Sequence, residues 1–326
     1  MRITFQRSIV ILFVCLYMPH QAMPKGYLKY YNRINQAELL AFKGQHTAAN
    51  RAYQKAFKMV DTPHGWDLRE AARNAAKMRD TSLAIRYYQQ AADAGFFPEY
   101  MIEAQDSLVL QSKANEIKVK NINTRLCSIV DSLYHQDQRY RKGDYDSNWK
   151  KQKAIDSTNL IKAYQIRKEL GKFPGYRELG YTRTRRFLLI FDHCQPKDMF
   201  DSTYRILLKQ VIAGDFNPKA VCGAIDYKAM GDADRPYAFT RVIFGCTLTY
   251  CSKEEIYVYL PVRNYKCLNK LRKSVGLPTL EQQLLLSTDK TVYDEELVRR
   301  SYPKLFMENP PRKPFVDCEG LWMKAP

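Results

Sequence analysis

Two stretches in the first third of the chain repeat each other at a fixed distance. Gly44, His46, Ala49, Tyr53 and Ala56 stand at relative positions 0, 2, 5, 9 and 12, and Arg79, Thr81, Ala84, Tyr88 and Ala91 stand at the same positions 35 residues later. A period of that size marks stacked helical pairs, because one pair cannot bury its apolar face alone. The small residues let one helix approach another. The tyrosine one turn further on fills the groove beside it. Pro98 to Leu110 (PEYMIEAQDSLVL) has the pattern of the first helix of a third unit.

The two copies resemble the tetratricopeptide repeat, whose small and aromatic positions follow this spacing. An ordinary helical hairpin with alanine–tyrosine packing gives the same pattern. Residues 23–115 are therefore expected to form tetratricopeptide-like helical hairpins. They contain no catalytic constellation, and their natural role is scaffolding or the binding of a protein or peptide partner.

Residues 1–22 (MRITFQRSIVILFVCLYMPHQA) read as a signal peptide. Arg2 and Arg7 supply a positive start without an acid, and Ser8 to Met18 is apolar but short for a membrane span. Cleavage after Ala22 fits, with His20 an unusual residue at the minus-three position; an uncleaved anchor is the alternative. Val14 before Cys15 departs from the small residue that lipid anchoring needs, which argues against a lipoprotein. The mature chain is expected to be exported, periplasmic or extracellular, and without a transmembrane helix.

Export changes what the eight cysteines mean. Seven follow the signal, and no CxxC pair occurs among them, so a thioredoxin-like site is not expected. Cys222, Cys246, Cys251 and Cys267 lie close enough in sequence for a disulfide. Buried free thiols are the other reading.

Composition bears mainly on partners. Hydrophobic residues make up 45% and charged residues 26%, which excludes a mostly disordered chain. The net charge is +18, and residues 116–190 alone carry 17 Lys/Arg against 8 Asp/Glu. Lys150, Lys151 and Lys153, and Arg183, Arg185 and Arg186, are the densest clusters. Export and the lack of a nucleic-acid motif argue against nucleic acid. An anionic glycan or lipid headgroup fits better, and a merely solvated basic face is the bland alternative.

The same segment carries polar residues on apolar faces. Leu126, Ile129, Val130 and Leu133 form a helical stripe whose extension meets Asp137 and Arg141, with Gln138 beside them. A second helix, about Ile155 to Leu170, places Asp156 and Asn159 one turn before Leu160 and Ala163. A third, Arg185 to Cys194 (RRFLLIFDHC), carries His193 on the row of Leu189 and Ile190. Asp137, Arg141, Asp156, Asn159 and His193 are thus predicted to converge from three helices, since buried polar groups need partners. Such a cluster either fastens helices or tunes groups for acid–base work. In the second case His193 is the general base, Asp137 or Asp156 its orienter, and Arg141 an anion anchor. No metal site is expected, because Asp192, His193 and Cys194 are consecutive and His135 and Asp137 lie on different faces. No cofactor is expected either.

Lys197 to Gly214, Pro218 to Met230 and Asn264 to Val275 read as further helices. Thr240 to Tyr250 and Glu255 to Val262 are β-branched and aromatic, which predicts a small β-hairpin. Residues 116–290 then form one larger helical domain, and residues 291–326 a tail with Pro and Lys around Asn309 to Pro314.

Residues 124–285 resemble a bacterial domain-of-unknown-function family common in exported Bacteroidetes proteins. The strings that carry the likeness are DQRYR (137–141), DSTN (156–159), GKFPGYRELGY (171–181), FDHC (191–194), AID (224–226), FG (244–245) and LPVRNYKCLNKLRKSVGL (260–277). The family pairs Asp-Gln-x-x-Arg with Asp-x-x-Asn and a later His. That pattern falls here on Asp137, Gln138, Arg141, Asp156, Asn159 and His193. Departures include Asp192 in place of a glutamine and Tyr227 in place of an arginine. The resemblance implies a mainly helical fold and carries no reaction with it. The chain is expected to be mainly α, and to work as an exported binding or scaffold protein through its helical repeats. The alternative is an enzyme of unknown class, such as a hydrolase, built on His193 with Asp137 or Asp156.

Overall fold

In the computed structural model of the protein, the described residues are 26–97, 122–141, 145–194, 200–229, 244–246, 248–251, 256–259, 265–287 and 291–292. The expected signal at 1–22, the third unit at Pro98–Leu110 and most of the tail lie outside them. The fold is mainly α, with eleven helices among the described residues. None of these is long and apolar enough to cross a membrane.

The first four helices are α1 (Gly26–Phe42), α2 (His46–Phe57), α3 (Gly65–Lys77) and α4 (Thr81–Asp93). They pack as two consecutive pairs, α1 on α2 and α3 on α4, with α2 also meeting α3. The repeated positions do the packing: Ala49, Tyr53 and Ala56 of α2 and Ala84, Tyr88 and Ala91 of α4 are all buried. Between the pairs, Asn74 Nδ2 donates to the His46 carbonyl at 2.9 Å, and the His46 ring meets Asn74 Oδ1 at 2.9 Å.

Each pair turns over in the same way. Gly44 (φ 72°) and Arg79 (φ 61°) occupy equivalent repeat positions in the left-handed conformation that ends a helix. Both bring two backbone N–H groups back onto the last turn, Gly44 and Gln45 after α1, Arg79 and Asp80 after α3. A side chain in that conformation is strained where glycine is not. Arg79→Gly should therefore raise stability by about 0.5–1 kcal/mol, read as a higher urea midpoint. An unchanged or lower midpoint would contradict the strain argument.

The second half comprises α5 (Thr124–Gln138), α6 (Tyr145–Leu170), α7 (Tyr176–Cys194), α8 (Phe200–Ile212), α9 (Pro218–Ala229), α10 (Tyr265–Ser274) and α11 (Leu280–Leu286). Three short strands, Leu248–Cys251, Ile256–Tyr259 and Thr291–Val292, lie in one sheet in chain order; the first two pair antiparallel and the last two parallel. Two helices begin earlier than their apolar pattern suggests. α6 starts ten residues before Ile155, and the buried residue described in that added stretch is the polar Gln152. α7 starts at Tyr176 and runs through a break at Gly180 (φ 73°, ψ 176°).

The two halves share one core. Tyr31 of α1 donates to the carbonyls of Val211 and Phe216 at 2.8 and 3.2 Å, and Asn35 donates to the Gly276 carbonyl at 3.1 Å. Lys219 Nζ meets Glu38 at 3.3 Å. Beneath them Tyr30 donates to Asp67, whose carboxyl burial pushes up to about 7. His64 donates from Nε2 to the Gly214 carbonyl at 3.2 Å, and burial takes its pKa down to about 3, so the ring is neutral.

A glycine joint ties α4 to α7. Gly95 and Gly180 lie backbone against backbone: a Cβ built on Gly95 would stand 2.5 Å from Gly180 Cα. Around the contact, Tyr181 N–H donates to the Ala94 carbonyl at 3.0 Å and Thr182 N–H to the Gly95 carbonyl at 3.1 Å. Thr182 Oγ1 accepts from Phe97 N–H at 3.1 Å.

Of the cysteines, Cys127, Cys222 and Cys246 are free and Cys267 is in a disulfide. The free-thiol reading thus holds for Cys222 and Cys246, and the disulfide reading can involve neither of them. Burial pushes the Cys246 thiol up to about 12, which keeps it protonated. Its backbone is held in a clamp. Asp226 accepts from the N–H groups of Phe244 (2.8 Å) and Cys246 (2.6 Å), while fully buried Arg272 donates to the carbonyls of Phe244 (2.6 Å) and Pro278 (2.6 Å).

Candidate functional site

Four of the five polar residues singled out in sequence meet directly. Asp137 ends α5 and is fully buried. The His193 Nδ1 atom, on the last turn of α7, lies 2.9 Å from both Asp137 carboxylate oxygens. A carboxylate accepts, so Nδ1 carries a proton in this contact. Arg141 bridges two helices: its Nη2 atom donates to Asp156 of α6 at 2.7 Å and to Asp137 at 3.3 Å. Gln138 adds a donor to Asp137 at 2.7 Å.

The fifth residue takes another partner. Asn159 is buried on α6 and donates to the Leu133 carbonyl at 3.1 Å, tying α6 to α5. Among the described residues its Oδ1 atom has no hydrogen-bond partner. Gln152 takes the place expected of it. It donates to Asp156 at 2.6 Å and to the Asp137 carbonyl at 2.9 Å, and accepts from Tyr140 N–H at 3.2 Å. The signal for Gln152 was its spacing, one turn before Asp156 on the same face.

Electrostatics follow the geometry. Burial pushes the Asp137 carboxyl up, but the His193 and Arg141 donors outweigh it and leave the group below its ordinary value. Arg141 is held above its ordinary value by the two carboxylates, against the effect of its burial. Among the described residues no hydroxyl or thiol is bonded to His193, and no group of three or more His, Cys, Asp or Glu could hold a metal ion. The arrangement orients an imidazole and neutralises two buried carboxylates. A nucleophile does not stand beside it among those residues.

A second site was not visible in sequence. A cleft of about 430 Å³ opens where α3 and the residues after α4 meet α7. That size suits a small organic molecule. Trp66 and Arg69 of α3, Phe96, Tyr134 of α5, and Tyr181 and Arg185 of α7 line it. Phe96 and Tyr181 stack at 4.6 Å with planes 8° apart, and Trp66 adds a ring 6.2 Å from Tyr181. The glycine joint makes this stack, because it sets residues 96 and 181 side by side. On α7, Tyr181, Arg185, Leu188 and Asp192 follow at helical spacing and present one face to the cleft.

The basic clusters separate in space. Arg183 and Arg186 both pair with Asp131 at 2.8 Å, and both guanidinium groups lie over the Phe97 ring, at 4.8 and 5.2 Å. They are held, not solvated. Arg185 between them is exposed and points into the cleft lining. Lys150, Lys151 and Lys153 are exposed on α6.

Compared with protein-family models, with curated proteins and with solved structures, the chain finds no match.

Proposed function

We propose that the chain is an exported binding protein, and that its ligand enters the cleft between α3 and α7. The reading rests on one observation: residues from both halves of the fold wall a cavity of ligand size with aromatic rings and guanidinium groups. In this account the front helices are degenerate tetratricopeptide-like hairpins, 23–115, acting as a scaffold. The helical domain, 116–290, carries a small β-hairpin and is held on them by its contacts with α1. Tyr31, Asn35 and Glu38 are spent on the chain's own second half, which leaves α3 and its neighbours to meet a ligand. A protein or peptide partner would dock around that mouth. An anionic glycan or lipid headgroup would meet Lys150, Lys151 and Lys153, since Arg183 and Arg186 are occupied. Membership of the domain-of-unknown-function family fits the same division of the chain.

The second reading is an acid–base enzyme. It is favoured by the 2.9 Å contact that orients His193 on Asp137. The dense pairing of Asp137, Arg141 and Asp156 favours a fastener of α5 to α6 instead, with His193 tying in α7.

Filling the cleft tests the first reading. Fragments of mixed charge should bind the wild-type chain in ligand-observed NMR. Leu189→Trp, from the cleft wall, should abolish binding of most hits while leaving the helical circular dichroism unchanged. Ala220→Phe fills the same space from α9 and should act alike. Hits that bind both variants as well as wild type would overturn the reading.

A further inference from the structure

From the lining we infer that the cleft takes a small aromatic carboxylate, its ring against the edge of the aromatic wall and its anion on Arg185. The inference rests on the binding reading above and names the ligand's chemistry.

Three arginines and one aspartate line the cleft. The arginines differ in what they already hold. Arg186 is paired with Asp131 at 2.8 Å and lies over Tyr134 at 4.8 Å. Arg69 is 2% exposed, pairs with Glu70 at 2.8 Å and lies over Trp66 at 5.0 Å. Both are fixed parts of the wall. Arg185 is exposed and hydrogen-bonds the Tyr181 hydroxyl one turn back, and among the described residues no carboxylate pairs with it. A planar guanidinium without a carboxylate is built to take one in two parallel hydrogen bonds.

The place for the anion is set by α7. Arg185 lies one turn from Tyr181, whose ring is stacked on Phe96. A ligand on Arg185 therefore has the edge of a three-ring wall, Trp66, Phe96 and Tyr181, within one turn of the helix. Ring against ring and ring against guanidinium are both favourable there. Asp192 stands two turns beyond Arg185, about 10 Å along the axis. That end disfavours a second anion, so a monocarboxylate fits better than a dicarboxylate that spans the cleft.

Indole-3-acetate, indole-3-acetamide and acetate separate the components on the full chain. Titration by protein-observed NMR or calorimetry should find indole-3-acetate binding at least about tenfold tighter than either of the others, the scale of one charge-assisted hydrogen bond. Arg185→Glu should weaken indole-3-acetate by about tenfold or more and leave the acetamide within about twofold. Arg185→Lys should recover part of the loss. Because Arg185 is exposed, these variants are expected to fold, and thermal melting checks it. Equal affinity for acid and amide, no binding of the acid, or indifference of the acid to Arg185→Glu would overturn the ligand class. If the amide still binds and Leu189→Trp removes it, the cleft reading survives that failure. If fragments ignore the filled cleft, the reading itself fails.

Discussion

Gly180→Ala should lower the stability of the chain by about 3 kcal/mol or more, since backbone strain and a steric clash act together. Gly180 has φ 73° and ψ 176°, a conformation that essentially only glycine adopts. A Cβ there would also stand 2.7 Å from Gly95 Cα, and backbone cannot swing aside as a side chain can. The hydrogen bonds from Tyr181 and Thr182 to residues 94 and 95 pin both strands of the joint, so relief in one place breaks contacts in another. The loss should reach beyond melting. Phe96 and Tyr181 would part, and fragment binding to the cleft should fall with them. Urea denaturation measures the first effect and ligand-observed NMR the second. A variant within about 1 kcal/mol of wild type would mean that the joint is looser than the contact implies.

Arg141→Met carries the second large effect. The substitution keeps most of the side chain's volume and removes its charge. Asp137 and Asp156 would then face each other's helices as buried carboxylates with 1% and 9% side-chain exposure. Breaking a buried pair in this way costs about 3–5 kcal/mol, and the lower end applies because Arg141 keeps some contact with solvent. The cost should depend on pH. In wild type the Asp137 carboxyl lies below its ordinary value, so its contribution is full above pH ~4 and is lost as the pH falls through the folded value. The variant loses that contribution and gains from protonation. The gap between the two proteins should therefore narrow below pH ~4. Chemical denaturation at pH 7 and pH 3 reads both. An undiminished stability at pH 7 would contradict the fastener and return weight to His193 as an acid–base group.

Sequence periodicity reached some parts of this molecule and missed others for physical reasons. The front pairs were legible because alanine and tyrosine recur every 35 residues, and those positions are the buried ones. The Asp137–Arg141–Asp156–His193 contact was legible because charged residues continued apolar stripes. Asn159 lay on the right face, yet its amide found a backbone carbonyl first, a choice that no side-chain pattern encodes. Gln152 was missed because the apolar pattern of α6 begins only at Ile155. The cleft was missed for a different reason. Trp66, Phe96 and Tyr181 come from separate elements, and only the contact of Gly95 with Gly180 brings them into one wall. Neither glycine announces its partner. The clamp of Asp226 and Arg272 on residues 244–246 is non-local in the same way.

The central claim is that the space between α3 and α7 binds a ligand in the folded chain. Linkage tests it most directly. For the fragment that binds wild type most tightly, saturation at a hundred times its Kd should raise stability by about 2.7 kcal/mol. The same concentration should leave the melting of Leu189→Trp unchanged. A rise of equal size in both proteins would place the fragment elsewhere and contradict the account.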